Sequence, residues 1–157
     1  MFEVINEILD KEYLIAMGRD FDSLSYELCG DRMLDKDESE GGKPVEGLVY
    51  ELDEDGHLIY YSYYKHGFED GECVSFYTNG NVESIAIMKR GRIDGKCLEY
   101  FENGNLKSET FSEYGIVLTK REWTINGELV YEKAEPTEDD LKMRDIQREW
   151  YVKVTNE

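Results

Sequence analysis

A period of 24 residues runs through the middle of this chain and constrains its fold more than any other feature. Counted from Gly47, Gly71 and Gly95, three units read GLVYELDEDGHLIYYSYYKHGFED, GECVSFYTNGNVESIAIMKRGRID and GKCLEYFENGNLKSETFSEYGIVL. Each carries two turn signals. The first falls at Asp55-Gly56, Asn79-Gly80 and Asn103-Gly104, the second at His66-Gly67, Arg90-Gly91 and Tyr114-Gly115. A half-unit, REWTINGELVYEK, follows with its turn at Asn126-Gly127, one residue short of the period. Asn-Gly or Asp-Gly between apolar stretches predicts a β-hairpin with a type I′ turn, which needs positive φ at both central residues. Each unit is then one hairpin, the second turn joins it to the next, and the fixed period marks a repeat architecture.

The columns of the repeat assign faces. Tyr50, Val74 and Leu98 align, as do Leu52, Phe76 and Tyr100; the two columns are two residues apart and share a face. Between them Glu51, Ser75 and Glu99 look at solvent, and Val49, Cys73 and Cys97 form a small apolar column on the opposite face. In the second strand, Leu58, Val82 and Leu106 lie five positions before Tyr63, Ile87 and Phe111, an odd spacing that predicts a bulge or strong twist. Ser62, Ala86 and Thr110 are small enough for something to pack close. One hairpin cannot bury its apolar face, whereas stacked copies make a continuous stripe and an elongated sheet whose ends need caps.

The expected fold is therefore mainly β: an elongated antiparallel hairpin meander over residues 47–133, a C-terminal capping helix in 134–157 and a small N-terminal extension in 1–46. Thr137 reads as a helix N-cap with Asp140 at the capping-box position, and Leu141, Met143, Ile146 and Trp150 offer an apolar side. Residues 3–17 read as a helix on Val4, Ile5, Ile8 and Leu9 running into YLIAM, which suits a strand equally. Residues 23–46 have the length of a further, degenerate unit, and DKDESEGGKP reads as an exposed connection.

Thirty-six acids against eighteen bases give a net charge of −18, spread as −8 over residues 1–46, −7 over 47–133 and −3 over 134–157. Such a field repels nucleic acid and anionic lipid and attracts basic partners, or serves only to keep the protein soluble. No apolar run approaches a membrane span, and the N-terminus does not read as a signal peptide. Three cysteines without CxxC spacing fit free thiols in a reducing cytosol, so a cytoplasmic location is expected.

GKPVEGLVYEL, DEDGHL, FYTNGNVES, YFENGNLKSE and EYGIVLTKREWTINGELV, within roughly residues 42–133, resemble MORN-repeat variants and, more closely, the bacterial YwqK-like antitoxin family built from them. The resemblance implies a cytosolic immunity protein that binds and neutralises a cognate toxin, often a nuclease, as a monomer or a 1:1 heterodimer. The YEG core of the ordinary MORN motif is absent, so lipid binding is not carried over. The alternative is a generic scaffold that joins two host proteins.

No catalytic chemistry competes. His57 and His66 read as turn residues, Cys73 and Cys97 as core, and the chain has no GxGxxG, P-loop or GxSxG. No enzyme activity, cofactor or metal is expected. A binding surface is expected instead, made of acids and amphipathic tyrosines: Glu51, Asp53, Glu54, Asp55, Tyr61, Tyr63, Glu69, Asp70, Glu99 and Glu102. Nuclease toxins hold phosphates and are basic, so a carboxylate array can steer their association and occlude their cleft. Nucleic acid and membrane are not expected as partners.

Overall fold

A computed structural model describes residues 7–156. The Val4 and Ile5 part of the N-terminal reading lies outside these residues. Helix α1 (Lys11–Met17) leads into β1 (Arg19–Asp20), a 3-10 turn (Phe21–Ser23), β2 (Ser25–Tyr26) and β3 (Met33–Leu34). The repeats follow as β4 (Gly47–Leu52), β5 (Leu58–Lys65), β6 (Phe68–Phe76), β7 (Val82–Lys89), β8 (Arg92–Tyr100), β9 (Leu106–Glu113), β10 (Ile116–Trp123) and β11 (Leu129–Lys133), and α2 (Glu138–Thr155) closes the chain. Among the described residues the sheet has nine strands in the order β1-β4-β5-β6-β7-β8-β9-β10-β11. From β4 onward it is the expected antiparallel meander; only β1 joins in parallel, beside β4.

The type I′ geometry expected at the Asn-Gly and Asp-Gly sites is found instead at the second set of turns. Type I′ turns sit at His66-Gly67, Arg90-Gly91 and Tyr114-Gly115, where both residues have positive φ (54° and 82°, 48° and 75°, 51° and 83°). Each joins directly paired residues, Lys65 with Phe68, Lys89 with Arg92 and Glu113 with Ile116. At the Asn-Gly and Asp-Gly sites only the glycine is left-handed. There the loop spans three residues, closed by Asp53 N–H to the His57 carbonyl and Gly56 N–H to the Asp53 carbonyl, and likewise in the later units. Asn79 and Asn103 accept the N–H two residues ahead, at 2.9 and 3.0 Å, so the Asn folds on its own backbone while Gly supplies the positive φ.

The predicted bulges are present. Glu51 pairs with Tyr60 but Leu52 with Leu58, which leaves Ile59 as the extra residue; Glu83 and Lys107 repeat the pattern. The bulge turns an odd spacing into one shared face. Across that face Tyr50, Tyr61, Val74, Ile85 and Leu98 form a cross-strand row, and Leu14 of α1 packs on its N-terminal part, wholly buried. Burying a side chain of that size contributes about 2 kcal/mol. On the other face Val49 and Tyr64 pack with Met33, Val45, Phe21 and Leu24 of the N-terminal segment. Of the small column, Ser62 is fully buried, whereas Thr110 lines an open cavity of about 540 Å³.

Helix α2 has the expected capping box: Asp140 N–H donates to Thr137 Oγ1 at 3.1 Å and Thr137 N–H to Asp140 Oδ2 at 2.8 Å. Its docking side is not the expected one. Arg144 pairs with Glu113, Gln147 accepts from Arg92, and Tyr151 meets Tyr114 edge-on at 5.6 Å, while Met143, Ile146 and Trp150 are exposed. The turn ends of the sheet are polar and aromatic there, so the helix meets them with its polar side. No helix of the described residues is long and apolar enough to cross a membrane.

Candidate functional site

Register places a second row on the face opposite the Tyr61 core. It runs Glu51, Tyr60, Ser75, Ser84, Glu99, Ser108, Glu122 and Tyr131, one residue per strand from β4 to β11. Carboxylates and hydroxyls make up the whole row, so the sequence column Glu51, Ser75 and Glu99 becomes a band across the sheet. The N-terminal segment stands over one end of this face and α2 borders its second-turn edge. Between them lies a cavity of about 720 Å³ lined by Glu51, Tyr60, Tyr64, Glu69, Phe21 and Trp150 among others.

Like charges meet in this groove at Glu51. Burial pushes its carboxyl above the usual range, and the like charges of Asp22 and Asp20 push it further. The 3-10 turn that carries Asp22 is held by Asp20, whose Oδ1 accepts the Asp22 N–H at 2.9 Å. Glu69 accepts a hydrogen bond from the Tyr60 hydroxyl, which also meets the Tyr64 hydroxyl at 3.2 Å. Burial first, and then the bond to Glu69, drives the Tyr60 phenol far above its ordinary pKa, so it stays a donor. Farther along, Glu99 accepts from Ser108, and Lys120 pairs with Glu122 at 2.9 Å.

The other candidate residues are placed differently. Asp53, Glu54, Asp55 and Glu102 sit on the first-turn rim, where Asp53 accepts the N–H groups of Asp55 and His57 at 3.0 and 2.8 Å. The His57 N–H, chiefly, holds the Asp53 carboxyl below its usual range. Asp70 closes a turn: it accepts the Arg90 N–H at 3.3 Å, as Glu46 accepts from His66 at 2.9 Å and Asp94 from Tyr114 at 2.7 Å, each 20 residues away. These acids hold one repeat to the next. Tyr63 lies on the opposite face and is 38% exposed. Tyr61 was expected at the surface and is instead 0% exposed in the core, its hydroxyl accepting the Leu9 N–H at 3.1 Å, because its column faces α1. Glu51, Glu69 and Glu99 are the members that share the groove face.

Asp53, Asp55 and His57 each offer one potential metal-ligand atom within 4.8 Å of the others. Asp53 already uses both oxygens to close its turn, with Oδ2 3.0 Å from His57 Nδ1, so the trio is accounted for by local structure. The sequence reading missed Asp20, Asp22, Tyr26, Arg32, Arg92 and Trp150 around the groove. None of these belongs to a repeat column of acids or tyrosines, and the N-terminal ones lie where the period is lost.

The sequence signature of the MORN repeat variant matches residues 69–89 and 93–113, each one strand–turn–strand unit of the sheet just described. Two of the sheet's strand–turn–strand units thus match the MORN repeat variant. The chain is also similar to "Immunity protein YwqK" of Bacillus subtilis (strain 168), with 39% identity over 62 residues. That match covers 40% of this chain and 40% of YwqK, so the chain spans about two-fifths of the relative's length. No solved structure matches the chain. The groove is thus one face of a hairpin sheet, two units of which match the MORN repeat variant, with the hairpins as floor and the non-repeat segments as walls.

Proposed function

We propose that this MORN-variant protein is a cytoplasmic immunity protein that binds a basic protein toxin along the groove face and so neutralises it. The similarity to YwqK supports the immunity role, and the carboxylate row carries the choice of surface. Glu51 is held beside Asp20 and Asp22 with its ionisation penalised, so a lysine or arginine of a partner placed there relieves like-charge repulsion inside a semi-enclosed groove. Glu69, Glu99 and the hydroxyls between them extend the same recognition across the strands. The reading requires binding and occlusion alone, with no catalytic step. A nuclease-type toxin fits, because a phosphate-binding cleft is basic.

The test is a pull-down of the tagged protein from its native cells at low and high salt, beside the Glu51→Gln/Glu69→Gln/Glu99→Gln variant. One basic protein, retained stoichiometrically at low salt, released at high salt and lost by the variant, is the expected result. Retention unchanged by the variant would rule the groove out. One observation favours the scaffold reading: Leu129 and Val130 on the outermost strand β11 are 50% and 62% exposed, a second apolar surface at the far edge of the sheet. Several unrelated partners in the same pull-down would favour it.

A further inference from the structure

In a chain with twice as many acids as bases, the cations find carboxylates easily: Lys96, Lys120, Arg121, Lys133, Arg144 and Arg148 all do. Arg32, Arg90 and Arg92 line one cavity of about 720 Å³, and none of them pairs with a carboxylate among the described residues. They are held by other means. The guanidinium carbons of Arg32 and Arg90 lie 5.8 and 4.7 Å from the centre of the Phe68 ring. That of Arg92 lies 5.2 Å from the Trp150 ring, and its Nη1 donates to Gln147 of α2. Stacking on a ring fixes a guanidinium while leaving its in-plane N–H donors free for an oxyanion.

The backbone builds this corner. Arg90 has φ 48° in its type I′ turn, which places Arg90 and Arg92 on either side of Gly91. Gly67 brings the N-terminal segment against the neighbouring turn: its carbonyl accepts the Met33 N–H at 2.8 Å, and a Cβ on Gly67 would come within 2.9 Å of Arg32 Cβ. Two turns one repeat apart and a non-repeat segment thus converge three guanidiniums. Four carboxylates, Glu27, Asp31, Glu51 and Glu69, line the same cavity, and among the described residues none pairs with the three arginines. Glu69 receives the Tyr60 hydroxyl, and Glu51 is in the field of Asp22 and Asp20.

We infer that the corner formed by Arg32, Arg90 and Arg92 is an oxyanion-binding site that takes a phosphate or carboxylate group borne on an aromatic body. The oxyanion sits against the guanidinium forks, and the ring packs among Phe68, Trp150 and the cavity tyrosines. The cavity volume suits a small molecule of that kind. This site shares its cavity with Glu51 and Glu69 but rests on the arginines and rings, so it can stand if the recognition of a basic partner by the carboxylate row fails.

The test uses the free full-length protein carrying Trp123→Phe, which leaves Trp150 as the sole tryptophan. Inorganic phosphate, phenyl phosphate and phenylacetate are titrated by calorimetry and by Trp150 emission, against sodium chloride at equal ionic strength. The expected result is saturable binding of phenyl phosphate or phenylacetate with a matching change in Trp150 emission. Affinity falls at least about tenfold in Arg90→Gln/Arg92→Gln, the loss expected for charge-assisted hydrogen bonds. Arg90→Lys, which keeps the charge and loses the fork, gives a partial loss and guards against a folding artefact. The stronger of the two ring ligands distinguishes phosphate from carboxylate, and inorganic phosphate alone measures the ring's share. Absence of heat with all three probes, binding that leaves Trp150 unchanged, or affinity unaltered by the arginine variants would each overturn the inference.

Discussion

Single residues take their roles from the face on which the strand pleat leaves them. Glu51 and Tyr50 are neighbours in sequence, yet one faces a groove with Asp20 and Asp22 and the other a hydrophobic core. The carboxyl of Glu51 titrates above its unfolded value of 4.5, so the folded state holds its proton longer than the unfolded state does. Glu51 therefore costs stability that appears as pH rises through 4.5 and the raised folded value, and is absent below them. Glu51→Gln is expected to melt with wild type at pH 3.5 and above it at pH 7, read by thermal denaturation at both. Tyr61 makes the opposite case. Tyr61→Phe leaves the Leu9 N–H without its acceptor and costs about 1 kcal/mol, whereas Tyr61→Ala opens a core cavity and costs about 3–5 kcal/mol by urea unfolding. A surface role for Tyr61 would give neither loss.

At the scale of elements, the turns set what can be changed. Gly104 has φ 91° and open space for 4 Å around the point where a methyl group would sit, so Gly104→Ala measures left-handed strain alone, about 1 kcal/mol. Gly67 has φ 82°, and there a methyl would also meet the Met33 carbonyl at 2.8 Å, so Gly67→Ala is expected to cost clearly more and to loosen the N-terminal segment. Equal losses at the two positions, measured by urea denaturation, would remove the special role of Gly67 in seating Arg32. Helix α2 teaches a similar point. Its caps were legible because the Thr137 and Asp140 pair is a local signal, but its docking side was not. An amphipathic pattern names the apolar side and assumes that side is buried; here the sheet's turn ends offered Glu113, Arg92 and Tyr114 instead.

For the whole molecule, charge is the global term. A net charge of −18 repels itself on folding, and the pairs between neighbouring strands, such as Lys96 with Glu109 at 3.5 Å, offset only part of that. Raising sodium chloride from about 10 to 200 mM shortens the screening length to below about 10 Å and is expected to raise the melting temperature. A fall would mean that local ion pairs outweigh the net field. The same added salt is expected to weaken a basic partner's hold, so partner loss at salt concentrations that stabilise the free protein separates release from unfolding. The sheet itself is a stack of units bound mainly to their neighbours, joined by turn-to-turn hydrogen bonds such as Gly91 N–H to the Glu69 carbonyl and Gly115 N–H to the Ile93 carbonyl.

The sequence by itself determined the meander, its bulges and the order of its strands, because alternation, turn glycines and a 24-residue period are properties of neighbouring residues. It also placed Glu51 and Glu99 in one column. Tertiary structure alone decided that Asp20 and Asp22, some 30 residues upstream of Glu51, share its groove, that Asp70 is spent on closing a turn, and that Tyr61 is core. It alone gathered Arg32, Arg90 and Arg92 around one cavity. The physical reason is one of range: periodicity records which way each strand faces, while the company a side chain keeps depends on how the non-repeating ends fold back over the sheet.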